Sequence, residues 1–278
     1  MKKNLVTILL IALVLVLSLT TFCGCFFENL SIISGKMSVE AEQALAALAA
    51  QDPDDPVLKN FSQINKVSLG AGGASMQMIT EYKVTENGFY YYSYYSDTTI
   101  GSAGSSAMYL EKDGDDYFYY AQDPNGKDFK VQAVPDSWIV QFENYITNRN
   151  STIVSDSRAN LFSSKNYKMD GDHYKYVGPE VYIEFGADSS GYEAKMVLEV
   201  DGLFLVDGGV EIRGHVMPEM TAEEKAEMEK AGYSFNMPYS YCVYNVGTTK
   251  ITYPKVLNSD YKSTYKQNKA NQNRDLDD

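Results

Sequence analysis

From Ala74 onward, tyrosine, phenylalanine and valine alternate with polar residues, and small turn dipeptides interrupt the alternation at short intervals. A period of two sends successive side chains to opposite faces of a strand, so one face is offered to a core and the other to solvent. The turns are Asn87-Gly88, Asp113-Gly114, Asn125-Gly126, Asp170-Gly171, Ser190-Gly191 and Asp201-Gly202. Glycine takes the positive φ of a tight hairpin and Asn or Asp tolerates it, so each pair is expected to join two antiparallel strands. The pattern predicts an α+β fold built on a long antiparallel meander of roughly nine to eleven strands. Within it, Lys112 to Tyr119 and Met169 to Tyr176 echo each other as an acidic turn followed by aromatics. Neither supplies the five spaced oxygen ligands and closing Glu of a calcium loop, so both read as hairpins.

Helices are expected at four places. Ser38 caps a segment whose Ala41, Ala44, Leu45 and Leu48 share a face, and Asp55-Pro56 opens a second one carrying Val57, Leu58, Phe61 and Ile64, making a short N-terminal helical pair. Asp136 or Ser137 starts a third, to Thr147, with Trp138, Ile139, Phe142, Tyr145 and Ile146 on its apolar side; it is expected to lie across the concave side of the sheet with Trp138 buried. Thr221-Ala222-Glu223-Glu224 is a capping box for a fourth, exposed helix ending at Gly232, with Met217, Met220, Met228 and Met237 anchoring it to the sheet.

The N-terminus carries the address. Lys2 and Lys3 precede an uninterrupted apolar or hydroxyl run, Leu5 to Phe22, followed by Cys23-Gly24-Cys25. Gly24-Cys25 resembles the lipobox of bacterial prolipoproteins, which implies cleavage after residue 24, a diacylglycerol on Cys25, acylation of palmitate type and an extracytoplasmic body anchored in the cell membrane. An uncleaved signal anchor or ordinary secretion uses the same run, and all three place the body outside the cytoplasmic membrane. The expected organisation is a signal peptide over 1–24, a tether over 25–37, one domain over 38–257 and a disordered polar tail over 258–278.

Without Lys2 and Lys3, 22 basic residues face 37 acidic ones. This acidity argues against nucleic acid and anionic lipid surfaces as electrostatic partners, which demand a basic face. Loss of Cys23 and acylation of Cys25 would leave Cys242 alone, in the strand-like stretch Tyr239 to Asn245, where it reads as a buried small hydrophobe. His173 and His215 have no partner at metal-ligand spacing, and no nucleophile elbow, phosphate loop or Ser-x-x-Lys pair is present. No enzyme, metal or cofactor is therefore predicted. The 23 tyrosines cluster at Tyr90 to Tyr95 and Tyr117 to Tyr120, where consecutive residues must point to both faces.

The order of parts, and the closing segment Val243 to Lys255 with its terminal proline, resembles the LolA/LolB-like and LppX/LprG-like lipoproteins. That resemblance implies a sheet curved into a half-barrel, helices packed on its concave face, and a cavity for an apolar or amphipathic ligand. The expected lining is Met76, Met78, Val197, Phe204 and Val206, with Trp138 and Phe142 on the lid. The alternative is a structural or adhesive surface module with a filled core. No protein partner is legible in either case.

Overall fold

The computed structural model describes residues 32–33, 36–50, 55–71, 74–122, 128–140, 153–185, 194–231 and 237–277. Among these, thirteen strands join in one sheet, and every strand pairing is antiparallel. A two-residue strand β1 (Ile32–Ile33) precedes β2 (Phe61–Ala71), β3 (Ala74–Thr85), β4 (Gly88–Asp97), β5 (Ser102–Asp113), β6 (Asp116–Gln122) and β7 (Phe129–Val134). Strands β2 to β7 form an outward meander. The second half contributes β8 (Tyr167–Asp170), β9 (His173–Tyr176), β10 (Val181–Phe185), β11 (Ala194–Val206), β12 (Gly209–Pro218) and β13 (Pro238–Tyr244). The two ladders meet where β13 pairs with β2, Tyr241 opposite Asn65. The expected single meander is thus two meanders joined by a long-range pairing that no local turn could reveal.

Turn chemistry explains most of the hairpins. Gly114 and Gly171, both at positive φ, lead the two-residue turns β5–β6 and β8–β9, so the two echoing segments are the same hairpin built twice. Asp201-Gly202 is a correction: it lies inside β11 as a bulge, and the hairpin to β12 turns at Asp207-Gly208 instead. A side chain on Gly202 would press on His173 and the Tyr174 carbonyl of β9, so glycine there serves close strand approach, whereas Gly208 supplies the positive φ of the turn. The loops holding Asn125-Gly126 and Ser190-Gly191 fall outside the described residues.

Among the described residues, four α-helices precede the last strand: α1 (Val39–Ala50), α2 (Pro56–Lys59), α3 (Ser155–Leu161) and α4 (Ala222–Lys230). Ser38 caps α1 through the Ala41 amide (3.1 Å), and Ala41, Ala44, Leu45 and Leu48 are buried as expected. Asp55 caps α2 through Val57 (2.9 Å), but the chain leaves the helix at Asn60, and the expected continuation through Ile64 is strand β2. Phe61 and Ile64 separate, Phe61 into the core that includes α1 and Ile64 into a smaller cluster with Ile79, Val206, Cys242 and Tyr244. Spacing alone fits either period here, and pairing with β3 and β13 decides for the strand. In α4 the Thr221–Glu224 capping box is formed and Met228 is its buried residue.

The main core joins Leu45 and Leu48 of α1 with Leu161 and Phe162 beside α3 and with one face of the sheet, including Phe61, Tyr82, Leu203, Ile212 and Tyr241. Burying each such aliphatic side chain stabilises by roughly 1.5–3 kcal/mol. Buried polar groups among them are satisfied: Tyr241 donates to Gln63 (2.9 Å), and Ser62 shares a hydrogen bond with Thr249 (2.9 Å).

Residues expected as a polar tail form a helix, α5 (Tyr261–Asp277), which packs on the opposite face of the sheet against β6 and β7. Polar composition hid this, because the helix docks through lysines and tyrosines instead of aliphatic residues.

Candidate functional site

The residues expected to line one cavity do not share a surface. Met76 (5% exposed) and the half-buried Met78 lie on the face of β3 that carries Tyr82 and Val84, the face of the main core. Val197, Phe204 and Val206 lie on the other face: Phe204 is opposite Glu211, and Val206 belongs to the Ile64 cluster. The bulge at Gly202 shifts the alternation of β11, yet it leaves all three on that face, because Val197 precedes the extra residue and Phe204 follows it. Trp138 is 37% exposed, at the end of a 3-10 turn (Asp136–Trp138), with its indole edge-on to Tyr119 at 5.8 Å. This overturns its expected burial; Phe142 and the rest of that helix to Thr147 lie outside the described residues, as does Cys25.

A different set of side chains converges at the far end of the sheet. The β5–β6 hairpin presents Glu111, Asp113, Asp116, Phe118 and Tyr120 on the face away from the main core, and the chain after β13 returns to cover them. Tyr253 stacks on Tyr120 at 5.2 Å and points its hydroxyl at the Asn87 and Leu110 carbonyls (3.3 and 3.4 Å). Gly88 permits this: a side chain there would overlap the Tyr253 hydroxyl and come within 2.8 Å of the Leu110 carbonyl oxygen. Beside the stacked rings lies an open groove of about 370 Å³, walled by Tyr120, Val131, Pro254 and Val256 and rimmed by Lys255, Ser259 and Lys262.

Charge is concentrated around it. The Tyr120 hydroxyl donates to Glu111, and the Lys262 ammonium donates to the same carboxylate while lying 4.9 Å from the centre of the Phe118 ring. Burial, then the neighbouring carboxylate, pushes the Tyr120 phenol well up, and burial does the same to Tyr253, so both stay protonated donors at neutral pH. Lys266 pairs with Asp113 (2.7 Å) and Lys269 with Asp116 (2.5 Å), continuing the row. The hydrogen bond from Lys266 holds Asp113 below the usual carboxylate range. Chemically this is an apolar, aromatic trough flanked by a row of lysine–carboxylate pairs, with Lys255 at its edge. Its signal in the sequence is Lys262, Lys266 and Lys269 at helical spacing i, i+4, i+7, legible only if 258–278 is read as a helix.

The remaining reactive groups are occupied structurally. Cys242 is 2% exposed in β13 and burial pushes its thiol well above the ordinary range. The His173 ring stacks on Phe204 at 5.1 Å beside Asp172 (3.0 Å), and His215 pairs with Asp201 (3.0 Å). Among the described residues no group of three or more His, Cys, Asp or Glu side chains converges as a metal site, and no helix is long and apolar enough to cross a membrane. No protein-family model matches the chain, and no curated protein matches it significantly.

Proposed function

We propose that this chain is a lipid-anchored bacterial lipoprotein, facing the extracytoplasmic side of the cell membrane, that binds an amphipathic ligand without catalysing its conversion. The address is inferred from Lys2, Lys3, the run to Phe22 and Gly24-Cys25. A half-barrel curvature of the sheet, with the α1 and α3 face concave, belongs to the same proposal and agrees with the resemblance to LolA/LolB-like proteins. The observation that carries the binding reading is the groove beside Tyr120: its size falls in the range of ligand sites, its wall is apolar and aromatic, and its rim carries Lys255 and the Lys262–Glu111 ion pair. An acyl or similar apolar segment would gain about 0.8 kcal/mol per buried methylene, and Lys255 would orient an anionic end.

The test uses signal-less protein and a fluorescent fatty acid. Binding is expected, and Ser259→Trp, which fills the rim, or Lys255→Glu, which reverses its charge, weakens it by about tenfold each. A second reading, a structural or adhesive module with a filled core, is favoured by the continuous packing of α1 and α3 on the sheet and by the division of the expected lining between two faces. Failure of delipidated wild-type protein to bind the probe decides for that module. Separately, mass spectrometry of membrane-extracted protein is expected to find lipid on Cys25, and Cys25→Ala to leave unprocessed precursor; an intact Met1 form in wild-type cells refutes the anchor.

A further inference from the structure

Strand β7 ends the sheet on one side, and an open edge exposes unpaired amides and carbonyls that recruit other strands. In this chain the edge is closed from 127 residues away in sequence. The Leu257 amide donates to the Phe129 carbonyl (2.9 Å), the Asn258 side chain both accepts from the Val131 amide (3.0 Å) and donates to its carbonyl (2.8 Å), and the Ala133 amide donates to the Tyr261 hydroxyl (3.2 Å). One of these four bonds is backbone to backbone; the rest are made by side chains imitating a strand.

Helix α5 then continues over the hairpin. Tyr265 meets Phe118 edge-on at 5.7 Å, and the lysine row matches the carboxylate row: Lys262 to Glu111, Lys266 to Asp113, Lys269 to Asp116. The outer pairs are partly open to solvent, and residues 266–271 are exposed. The connector 249–255 has no regular secondary structure.

We propose that residues 256–277 form an ionic latch, a strap that closes the β7 edge and the Phe118–Tyr120 aromatic trough and opens when its lysine–carboxylate row is screened. Solvent-exposed pairs are weak and salt-sensitive, so the row is the strap's adjustable part. The central strands β2 and β13 are held by a continuous ladder and by the main core, so opening stays local to the far edge. An open latch presents β7 to an incoming extended segment and removes one wall of the groove. The latch does not depend on any ligand occupying that groove.

Hydrogen exchange on the full chain tests this, with the Val131 and Ala133 amides as reporters and Tyr241 in β13 as the control. Raising salt from about 0.01 M to about 1 M shortens the screening length from ~30 to ~3 Å; exchange at the reporters is expected to speed by about tenfold while Tyr241 stays protected. Lys266→Glu with Lys269→Glu should speed the reporters at low salt and invert their salt response, because screening then relieves a repulsion between like charges. Adding Asp113→Lys and Asp116→Lys to those two should restore protection. The latch is refuted if salt and the lysine reversals leave the reporters unchanged, or if Tyr241 accelerates with them, which would mean that the whole sheet opens.

Discussion

Gly88→Ala isolates the contact that brings the returning chain onto the sheet. In an open strand position, replacing Gly by Ala usually stabilises by about 0.4–1 kcal/mol, because the unfolded chain loses freedom. At Gly88 the new methyl would overlap the Tyr253 hydroxyl and press on the Leu110 carbonyl oxygen at 2.8 Å. Overpacking of this kind costs about 1–3 kcal/mol, and displacing Tyr253 from its stack on Tyr120 forfeits about 0.5–1.5 kcal/mol. The net expectation is a loss of about 1–3 kcal/mol by urea unfolding. Tyr253→Phe removes the nearest clashing atom while keeping the ring, and its own two hydrogen bonds are long. Gly88→Ala should therefore cost about half as much in that background, a coupling readable in a double-mutant cycle. Equal costs in both backgrounds would refute the role given to the Tyr253 contact and assign the strain to the strand backbone.

Leu45→Ala, at a fully buried position of α1, should destabilise by about 2–5 kcal/mol in the same assay, because α1 is held by its apolar stripe. Cys242 should resist alkylation in the native protein and react at the rate of a free thiol once the chain is unfolded, since burial disfavours its thiolate. Asp113 has its carboxyl pKa lowered on folding, so it contributes stability above the ordinary value of about 3.9 and loses it as pH falls through the lower, folded value. Below about pH 4 the NMR signals of the Tyr265 ring should move toward those of an undocked helix, a response that Asp113→Asn reduces.

Local chemistry was legible where it acts over a few residues. The Ser38, Asp55 and Thr221 caps, the alternation of the strands, the Gly114 and Gly171 hairpins and the burial of Cys242 all follow from side-chain size, turn conformation and hydrogen bonds within reach of one turn. The tyrosine runs had to serve both faces, and the second does: Tyr117 and Tyr119 pack with the main core while Tyr120 joins the cluster under α5.

Tertiary structure decided the rest, because it depended on partners far away in sequence. Two Asp-Gly pairs in β11 and its turn are equivalent locally, and only the approach of β9 to Gly202 makes the first a bulge and the second the hairpin. Phe61 to Ile64 fits the helical period of Val57 and Leu58 or an extended one, and β3 and β13 claim it as a strand. The faces of Met76 and Val197 depend on the register linking β3, β2, β13, β12 and β11, a sum that no single segment carries. The C-terminal lysines are a solvated tail or a docked helix according to whether a carboxylate row awaits them; Glu111, Asp113 and Asp116 supply it from a hairpin some 150 residues earlier, within reach only after the sheet has formed.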